Sequence, residues 1–331
     1  MTNILCGGSE ADILNALSFC SMIVTDVNVA KLYPKYTKNA YVIPEGESSK
    51  SPEVLFSIIA EMSKRNIKRD DVIAAVGGGV VGDVTGLAAA LYMRGIDWIN
   101  IPTTMLAMVD AGIGGKTAVN VGGVKNVAGV FHAPKSTVIS FEFLETLYER
   151  EWLCGYGELV KTCLLTKHAY EQLKARVDGL LEFDRDDVYA LIQECVNIKR
   201  AVVAADPKEK ALRKILNVGH TVGHALESLD CGRLSHGEYI MKGMMTECAM
   251  CNDIIDEKYY NELNDIFYRF TTPPRTTAKS VCEFALKDKK NTGDTITLML
   301  PVSPGEILDV RIAQEDFLSR YDRAIKEMRK A

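Results

Sequence analysis

Residues 71–83 read DVIAAVGGGVVGD, and this segment decides the fold of the N-terminal half of the chain. Its first six residues are nearly all apolar, which is typical of a strand that is buried on both faces of a parallel sheet. The glycines that follow satisfy the pattern G-x-G-x-x-G between this strand and a helix predicted over residues 80–92. Glycine permits a positive φ and a close approach of phosphate to the backbone, and a helix start offers free N–H groups. The segment therefore predicts a nucleotide-phosphate site; the alternative is a tight turn that binds no ligand.

Strands and helices alternate on both sides of this segment. Further strands are predicted at residues 22–26, 40–43, 98–101 and 138–140, and a helix at residues 52–64. No strand is predicted before the first of these. Such alternation is typical of a parallel α/β sheet.

The pattern changes near residue 143, after which helical periodicity dominates. Helices are predicted at residues 142–154, 158–174, 186–203, 220–229, 238–252 and 257–270. One late strand is predicted at residues 295–300. The sequence therefore predicts an α/β nucleotide-binding domain at residues 1–145 and an all-α metal- and substrate-binding domain at residues 146–331.

The composition of the chain indicates a globular protein and argues against several other classes of protein. It has 331 residues, a formal net charge of −5 and 47% hydrophobic residues, which fits a globular protein and disfavours binding to nucleic acid or anionic membranes. No apolar run reaches the length of a membrane span, and the N-terminal residues lack the features of a signal peptide. The nine scattered cysteines argue against a disulfide framework, so we expect a cytoplasmic protein.

Three of the five histidines fall within seventeen positions and predict a metal site. His220 and His224 are four residues apart and project from one face of a helix, so both could bind zinc. Alternatively, one of them joins His236 and the upstream Glu158. A third interpretation is a set of core histidines with satisfied hydrogen bonds. The nearby C-x-x-C pair at residues 248–251 is expected to pack in the core.

Basic residues accompany these motifs although the chain is acidic overall. They are Arg94, Lys116, Lys125, Lys161, Lys199 and Arg213. Residues 120–126, which contain one of these lysines, are predicted to be a loop. Cations grouped in this way suit a substrate that carries a carboxylate and a phosphate.

Eight motifs, taken in order, resemble the 3-dehydroquinate synthase family. They are GGGVVGD (77–83), MRG (93–95), PTT (102–104), VDAGIGGKTAVN (109–120), GVKN (123–126), GELVK (157–161), LNVGHTVGHALE (216–227) and HGE (236–238). The resemblance covers about residues 22–300, and the separations between motifs agree as well as the motifs themselves. It implies the dehydroquinate synthase-like fold of the sugar-phosphate cyclases, with an N-terminal NAD-binding domain and a C-terminal helical metal domain.

The resemblance also implies roles for residues at matching positions. A zinc or cobalt ion would be held by Glu158, His220 and His236, which leaves His224 for the substrate. The implied NAD contacts are Asp26, Asn28, Glu47, Lys50, Gly79, Asp83, Thr103, Thr104, Lys125, Phe143 and Thr146. The implied substrate contacts are Asp110, Lys116, Asn126, Lys161, Lys199, Arg213, Asn217 and His224, with Arg94 reaching the phosphate site of a neighbouring subunit in a homodimer. Either Lys289 or Lys290 matches a further substrate lysine.

The activity implied by the resemblance is the conversion of 3-deoxy-D-arabino-heptulosonate 7-phosphate to 3-dehydroquinate and phosphate. It proceeds by transient oxidation with NAD, β-elimination, re-reduction and aldol cyclisation, within the shikimate pathway of aromatic amino-acid biosynthesis. Two alternatives stay open: another cyclase that acts on a heptulose or glucose phosphate, and a non-catalytic protein that binds NAD or metal. A polyol dehydrogenase is disfavoured because it has no use for so many cations.

Overall fold

A parallel sheet of six strands organises the N-terminal part of the chain in the computed structural model, which describes residues 2–286 and 295–330. The strands of this part are β1 (Asn3–Cys6), β2 (Met22–Asp26), β3 (Tyr41–Ile43), β4 (Val72–Gly77), β5 (Asp97–Pro102), β6 (Lys116–Val121), β7 (Val124–Phe131) and β8 (Ser136–Ile139). The sheet has the order β1-β8-β5-β4-β2-β3, and all of its pairs are parallel. The apolar strand β4 therefore lies at an interior position, as its composition predicts.

Four helices connect these strands. They are α1 (Glu10–Ser18), α2 (Val27–Leu32), α3 (Pro52–Lys64) and α4 (Gly79–Leu91). Their starts follow from local chemistry: Ser9 forms a capping box with Asp12, and the Ser51 side chain caps a helix that opens on a proline. The core of this unit forms where α3 and α4 bury their apolar faces against β2 and β4, with Leu55, Ile58 and Ile73 among its members.

The structure confirms the predicted strands of the central sheet and corrects two other predictions. Residues 3–6 do form an opening strand, because β1 finds a parallel partner in β8. Residues 120–126 are not a loop but belong to an antiparallel hairpin of β6 and β7. Its turn is the pair Gly122 and Gly123, which have φ of 59° and 78°, values that suit a tight two-residue hairpin turn.

The C-terminal part of the chain is mainly helical. Its elements are α5 (Glu149–Cys163), α6 (Lys167–Leu181), α7 (Arg185–Ala205), α8 (His220–Leu229), α9 (His236–Met250), α10 (Glu257–Phe270), α11 (Ala278–Ala285), β9 (Thr295–Ser303), β10 (Glu306–Ala313) and α12 (Gln314–Met328). The chain divides into two units, Met1–Trp152 and Leu153–Ala331, and the boundary predicted between residues 145 and 146 falls ahead of this division. An antiparallel hairpin of β9 and β10 adds to the helices of the second unit.

Two helices predicted from periodicity have different limits in the structure. Residues 142–154 are divided between a short 3-10 helix, Phe141–Thr146, and the start of α5. The helix predicted over residues 158–174 is interrupted before Thr166, whose side chain accepts the N–H of Ala169 and so caps a new helix, α6. Lys289 and Lys290 lie outside the described residues.

Glycines allow α8 and α9 to approach each other at backbone distance. A Cβ added at Gly243 on α9 would lie 1.9 Å from the carbonyl oxygen of Gly219, which immediately precedes α8. Gly219 itself has φ of 74°, which a residue with a side chain rarely adopts. This contact fixes the spacing of two helices that each begin with a motif histidine, His220 and His236.

All nine cysteines lie within the described residues and are free thiols. Cys248 and Cys251 are fully buried, which confirms their predicted place in the core. Among residues 2–286 and 295–330, the helices are too short or too polar for any of them to cross a bilayer.

Candidate active site

The C-terminal unit brings a carboxylate and two imidazoles together. Glu158 lies on α5, whereas His220 and His236 are the first residues of α8 and α9. One oxygen of the carboxylate, Glu158 Oε1, is 3.3 Å from His220 Nε2 and 3.2 Å from His236 Nε2. Three groups that are distant in sequence therefore converge on one point.

Hydrogen bonds to the opposite ring nitrogens orient both imidazoles. His220 Nδ1 lies 3.0 Å from the carbonyl oxygen of Val218, and His236 Nδ1 lies 3.1 Å from Oε2 of Glu227. Since a carbonyl can only accept, the Nδ1 of His220 carries the proton and donates it. Such outer partners leave Nε2 for a metal, as in many metal sites.

His224 also belongs to this cluster. Potential ligand atoms of His220, His224 and His236 all lie within 4.8 Å of one another, and His224 is the most exposed of the three. The two arrangements that spacing left open, a His220–His224 pair or a set with Glu158 and His236, thus share one location. The choice of ligands among these four side chains stays a prediction.

The electrostatics of the cluster suit a cation. Burial opposes ionisation of Glu158, but Lys161 and His220 outweigh it and hold the pKa of its carboxyl well below the usual range. Burial lowers the pKa of His220, which favours the neutral form that binds metals. Burial also acts against a charged His236, yet hydrogen bonds to Glu158 and Glu227 raise its pKa to about 10. A carboxylate beside imidazoles is a donor set that Zn²⁺ accepts, so these residues fit the implied metal.

Three cations are almost completely buried in the same unit. Lys161, Lys199 and Arg213 are 1%, 4% and 2% exposed. Lys161 pairs with Glu158 one helical turn away on α5. Lysine and arginine side chains bind carboxylate and phosphate oxygens strongly, so these three buried cations suit an anionic substrate.

Arg213 and Asn217 occupy a 3-10 helix, Leu212–Asn217, that precedes α8. The loop before it is organised by Asp206, whose carboxylate accepts the N–H groups of Lys210, Ala211 and Arg213 at 2.7 to 3.1 Å. Asn217 donates through Nδ2 to the carbonyl of Lys214 at 3.0 Å. The segment that holds two implied substrate contacts is therefore shaped by local hydrogen bonds.

The glycine loop of the N-terminal unit lies between β4 and α4, as predicted. Its glycines do not use the positive φ that glycine permits: Gly78 has φ of −70°, and the positive-φ glycines do not include Gly77, Gly79 or Gly82. Space for a side chain is severely limited at Gly77 and is tight at Gly79. A Cβ at Gly77 would lie 2.5 Å from Val81, and one at Gly79 would lie 3.3 Å from Ala111. The start of α4 has no side-chain cap, which leaves its backbone accessible to a ligand.

Lys50 and Asp83 form an ion pair beside this loop, with Nζ and Oδ2 2.5 Å apart. Burial raises the pKa of Asp83 to about 6, against the opposing effect of Lys50. Glu47, which opens the turn before Lys50, accepts from Asn120 Nδ2 at 2.8 Å. Glu47, Lys50 and Asp83, three of the implied NAD contacts, thus lie near one another beside the glycine loop.

The other implied contacts of this unit lie on loops and element ends. Asp26 caps α2 through the N–H groups of Asn28 and Val29, and Asn28 donates to Glu45. Thr103 and Thr104 follow β5, and Asp110 lies in a short π-helix. Lys116 begins β6, Lys125 and Asn126 lie on the exposed strand β7, and exposed Arg94 follows α4. Phe143 is buried in the core, and the Thr146 hydroxyl forms a hydrogen bond with the Tyr33 hydroxyl. Their roles stay predictions.

Sequence reasoning missed three carboxylates that support the metal cluster and its surroundings. They are Asp206, Glu227 and Glu247. Asp206 accepts from backbone groups a few residues later, whereas Glu227 and Glu247 meet partners that no motif spacing indicates. Only Glu227, at the end of LNVGHTVGHALE, lies within one of the quoted motifs.

Sequence comparisons identify relatives across nearly the whole chain. Residues 40–154 match the family described as 3-dehydroquinate synthase N-terminal, and residues 155–291 match 3-dehydroquinate synthase C-terminal. A 3-dehydroquinate synthase of Thermoanaerobacter sp. (strain X514) is 36% identical over 315 residues, covering 90% of this chain and 88% of the relative. One of Shewanella sp. (strain MR-4) is 37% identical over 301 residues, covering 86% and 84%.

Solved structures share the fold. A 2-epi-5-epi-valiolone synthase from Streptomyces hygroscopicus subsp. jinggangensis 5008, with NAD⁺ and Zn²⁺ bound, has a TM-score of 0.88 at 24% identity, covering 99% of this chain and 97% of that one. A 2-deoxy-scyllo-inosose synthase complexed with carbaglucose-6-phosphate, NAD⁺ and Co²⁺ has a TM-score of 0.84 at 23% identity, with the same coverage. The matched family domains and the relatives above 30% identity together place this chain in the 3-dehydroquinate synthase family.

Proposed function

We propose that this protein is a 3-dehydroquinate synthase that converts 3-deoxy-D-arabino-heptulosonate 7-phosphate to 3-dehydroquinate and phosphate. It is accordingly a carbon–oxygen lyase of the shikimate pathway, and its free cysteines suit a reducing cytoplasm. The observation that carries the proposal is the convergence of Glu158, His220 and His236, in a unit that also buries three cations. The family of the chain and the names of its relatives support it.

NAD and a divalent ion, Zn²⁺ or Co²⁺, are the proposed cofactors. Glu158, His220 and His236 would hold the ion, which would lower the pKa of a substrate hydroxyl. The glycine loop with Lys50 and Asp83 would hold NAD, which would supply transient hydride acceptance and return within one turnover. Structures that share the fold contain NAD⁺ with Zn²⁺ or Co²⁺, which supports both assignments.

The remaining residues bind and orient the substrate. Lys161, Lys199 and Arg213 offer buried positive charge for carboxylate and phosphate oxygens, and Arg213 can bind such a group with two parallel N–H donors. Lys161 also holds Glu158 in its charged form. His224, which is more exposed than the two proposed ligand histidines, would contact a substrate next to the ion. Because these groups are fixed by packing, the protein mainly supplies orientation and exclusion of water.

The test is an assay of both products. With NAD and Zn²⁺ or Co²⁺, the protein should release phosphate from 3-deoxy-D-arabino-heptulosonate 7-phosphate and form 3-dehydroquinate in equal amounts, with no net NADH. Phosphate release from a heptulose or glucose phosphate instead would identify another sugar-phosphate cyclase. Steady accumulation of NADH at 340 nm would identify a dehydrogenase, and no turnover with any of these substrates would favour a binding protein.

We also propose that the protein is a homodimer that pairs through the β6–β7 hairpin. All eight residues of β7 are exposed, and they include Val124, Val127, Val130 and Phe131 at 42–52%. An apolar edge strand is unusual on a free surface, and the edge of an antiparallel ribbon can pair with its own copy about a two-fold axis.

Light scattering should give about twice the 36.5 kDa of one chain. The substitution Val127→Lys, which places a charge in the proposed interface, should lower the mass to that of a monomer. Phe19→Lys is a matched control on another exposed apolar residue, which directly follows α1 and lies outside the hairpin, and it should leave the dimer intact. A dimer that survives Val127→Lys would place the interface elsewhere.

A further inference from the structure

A carboxylate from α9 holds the N-terminus of α8. Glu247, which is 1% exposed, accepts the N–H of Gly219 through Oε2 at 3.1 Å and the N–H of Val222 through Oε1 at 2.8 Å. The N-cap residue of α8 is a glycine and offers no side-chain cap of its own. Glu247 therefore supplies, from another helix, both the acceptors and the negative charge that a helix N-terminus favours.

One peptide unit links this carboxylate to a proposed metal ligand. The N–H of Gly219 and the carbonyl of Val218 belong to the same peptide group. Its N–H donates to Glu247, while its carbonyl accepts from His220 Nδ1 at 3.0 Å. Hydrogen bonds in a chain polarise one another, so the charge of Glu247 strengthens the carbonyl as an acceptor. The strengthened Val218 carbonyl favours a proton on Nδ1 of His220, and the hydrogen bond directs Nε2 towards Glu158.

His236 has a direct counterpart of this arrangement, because its Nδ1 donates to the Glu227 carboxylate at 3.1 Å. Outer carboxylates of this kind orient histidine ligands and raise their basicity. We propose that Glu247 is a positioning residue of the metal centre, which acts on His220 through the 218–219 peptide as Glu227 acts directly on His236. The inference depends on the ligand set proposed above.

Position on α9 explains why Glu247 can reach this peptide. Gly243 precedes it by one helical turn and lies against the carbonyl oxygen of Gly219. Without a side chain at residue 243, the two backbones approach closely enough for a glutamate at residue 247 to meet both N–H groups. The close packing of Gly243 on Gly219 is therefore what allows Glu247 to accept both hydrogen bonds.

Glu247→Gln tests the proposal, because glutamine keeps the size of the side chain but has only one acceptor oxygen for two N–H groups. The affinity for Co²⁺, measured by competition with a chromophoric chelator, should fall about 10- to 100-fold. The visible spectrum of bound Co²⁺ should change, and NAD affinity should not. Glu262→Gln is the matched control: Glu262 is in the same unit and accepts from the Tyr170 hydroxyl at 2.6 Å, so Co²⁺ affinity should be retained.

The outcomes separate this proposal from the ligand set on which it depends. Unchanged Co²⁺ affinity and spectrum in folded Glu247→Gln protein would overturn the role of Glu247 alone. Absence of Co²⁺ binding in the wild type, or binding that His220→Ala leaves intact, would overturn the ligand set. If the glutamine variant does not fold, Glu247→Asp replaces it: wild-type Co²⁺ affinity would refute the proposal, and a loss that Glu262→Asp does not share would support it.

Discussion

His236→Ala is expected to abolish metal retention and turnover while leaving NAD affinity intact. The Nε2 atom of His236 lies 3.2 Å from Glu158, and its Nδ1 is held by Glu227, so the substitution removes one proposed ligand and leaves two carboxylates without their imidazole. Losing an outer partner of a metal site costs about 10- to 100-fold in affinity or activity, and losing a ligand should exceed that range. Metal content after dialysis, turnover and NAD titration measure the three quantities.

A histidine elsewhere in the same unit provides the control for this prediction. His168 is 70% exposed at its side chain and lies 3.7 Å from Glu194 on the surface of α6 and α7. His168→Ala should therefore retain both metal and activity. A full complement of metal in purified His236→Ala protein would refute the ligand set, because two remaining ligands do not hold an ion through dialysis.

Gly243→Ala is expected to disrupt the contact between α8 and α9, with losses of both stability and metal affinity. The added methyl would lie 1.9 Å from the carbonyl oxygen of Gly219 and 2.7 Å from the backbone nitrogen of Gly223. Neither atom can rotate away, since both belong to the backbone, so the helices must separate. Overpacking of a core typically costs about 1–3 kcal/mol, and here the shift also moves His220 away from His236. Thermal unfolding and Co²⁺ titration measure the two losses.

Gly179→Ala is the matched control, because this glycine also lies within a helix of the same unit, α6. The atoms nearest its added Cβ belong to the side chain of Asp187, with Oδ2 at 2.1 Å and Cβ at 2.9 Å, so Asp187 must rotate and α7 must shift slightly. Alanine favours a helix over glycine by up to about 1 kcal/mol, which offsets this cost, so the loss of thermal stability should be smaller than that of Gly243→Ala. Equal melting temperatures and Co²⁺ affinities for Gly243→Ala and the wild type would contradict the predicted clash.

The sequence predicts most elements whose signals are local. The run of apolar residues in β4 and the periodicity of α8 and α10 need no tertiary contact to be recognised, and the helices lie at the predicted residues. Residues 120–126, predicted as a loop, form the turn region of the β6–β7 hairpin, and valines flank the glycine pair on either side. A Gly-Gly turn between apolar, β-branched residues is a hairpin signal, and it was available in the sequence.

The metal cluster could be predicted in part, and its supporting residues could not. His220, His224 and His236 are conspicuous because histidine is rare in this chain. Glu247 lies in an ordinary helical segment, where an acidic residue usually faces solvent. It acquires a role only because the glycines of α8 and α9 bring an uncapped helix start within its reach. The close approach of Gly77 to Val81 and of Gly79 to Ala111 likewise depends on packing that local sequence does not reveal.

The proposed ligands lie on three helices and are separated by 62 and 16 positions in the sequence, from residue 158 to 220 and from 220 to 236. An unfolded chain cannot present them together, so an ion would bind the native state alone. At a free concentration of 1,000 times its dissociation constant, such an ion would add about 4 kcal/mol to the free energy of unfolding. The ion proposed for catalysis would thus also stabilise the native state. In a cell with too little of this ion, the protein would unfold at a lower temperature as well as lose activity.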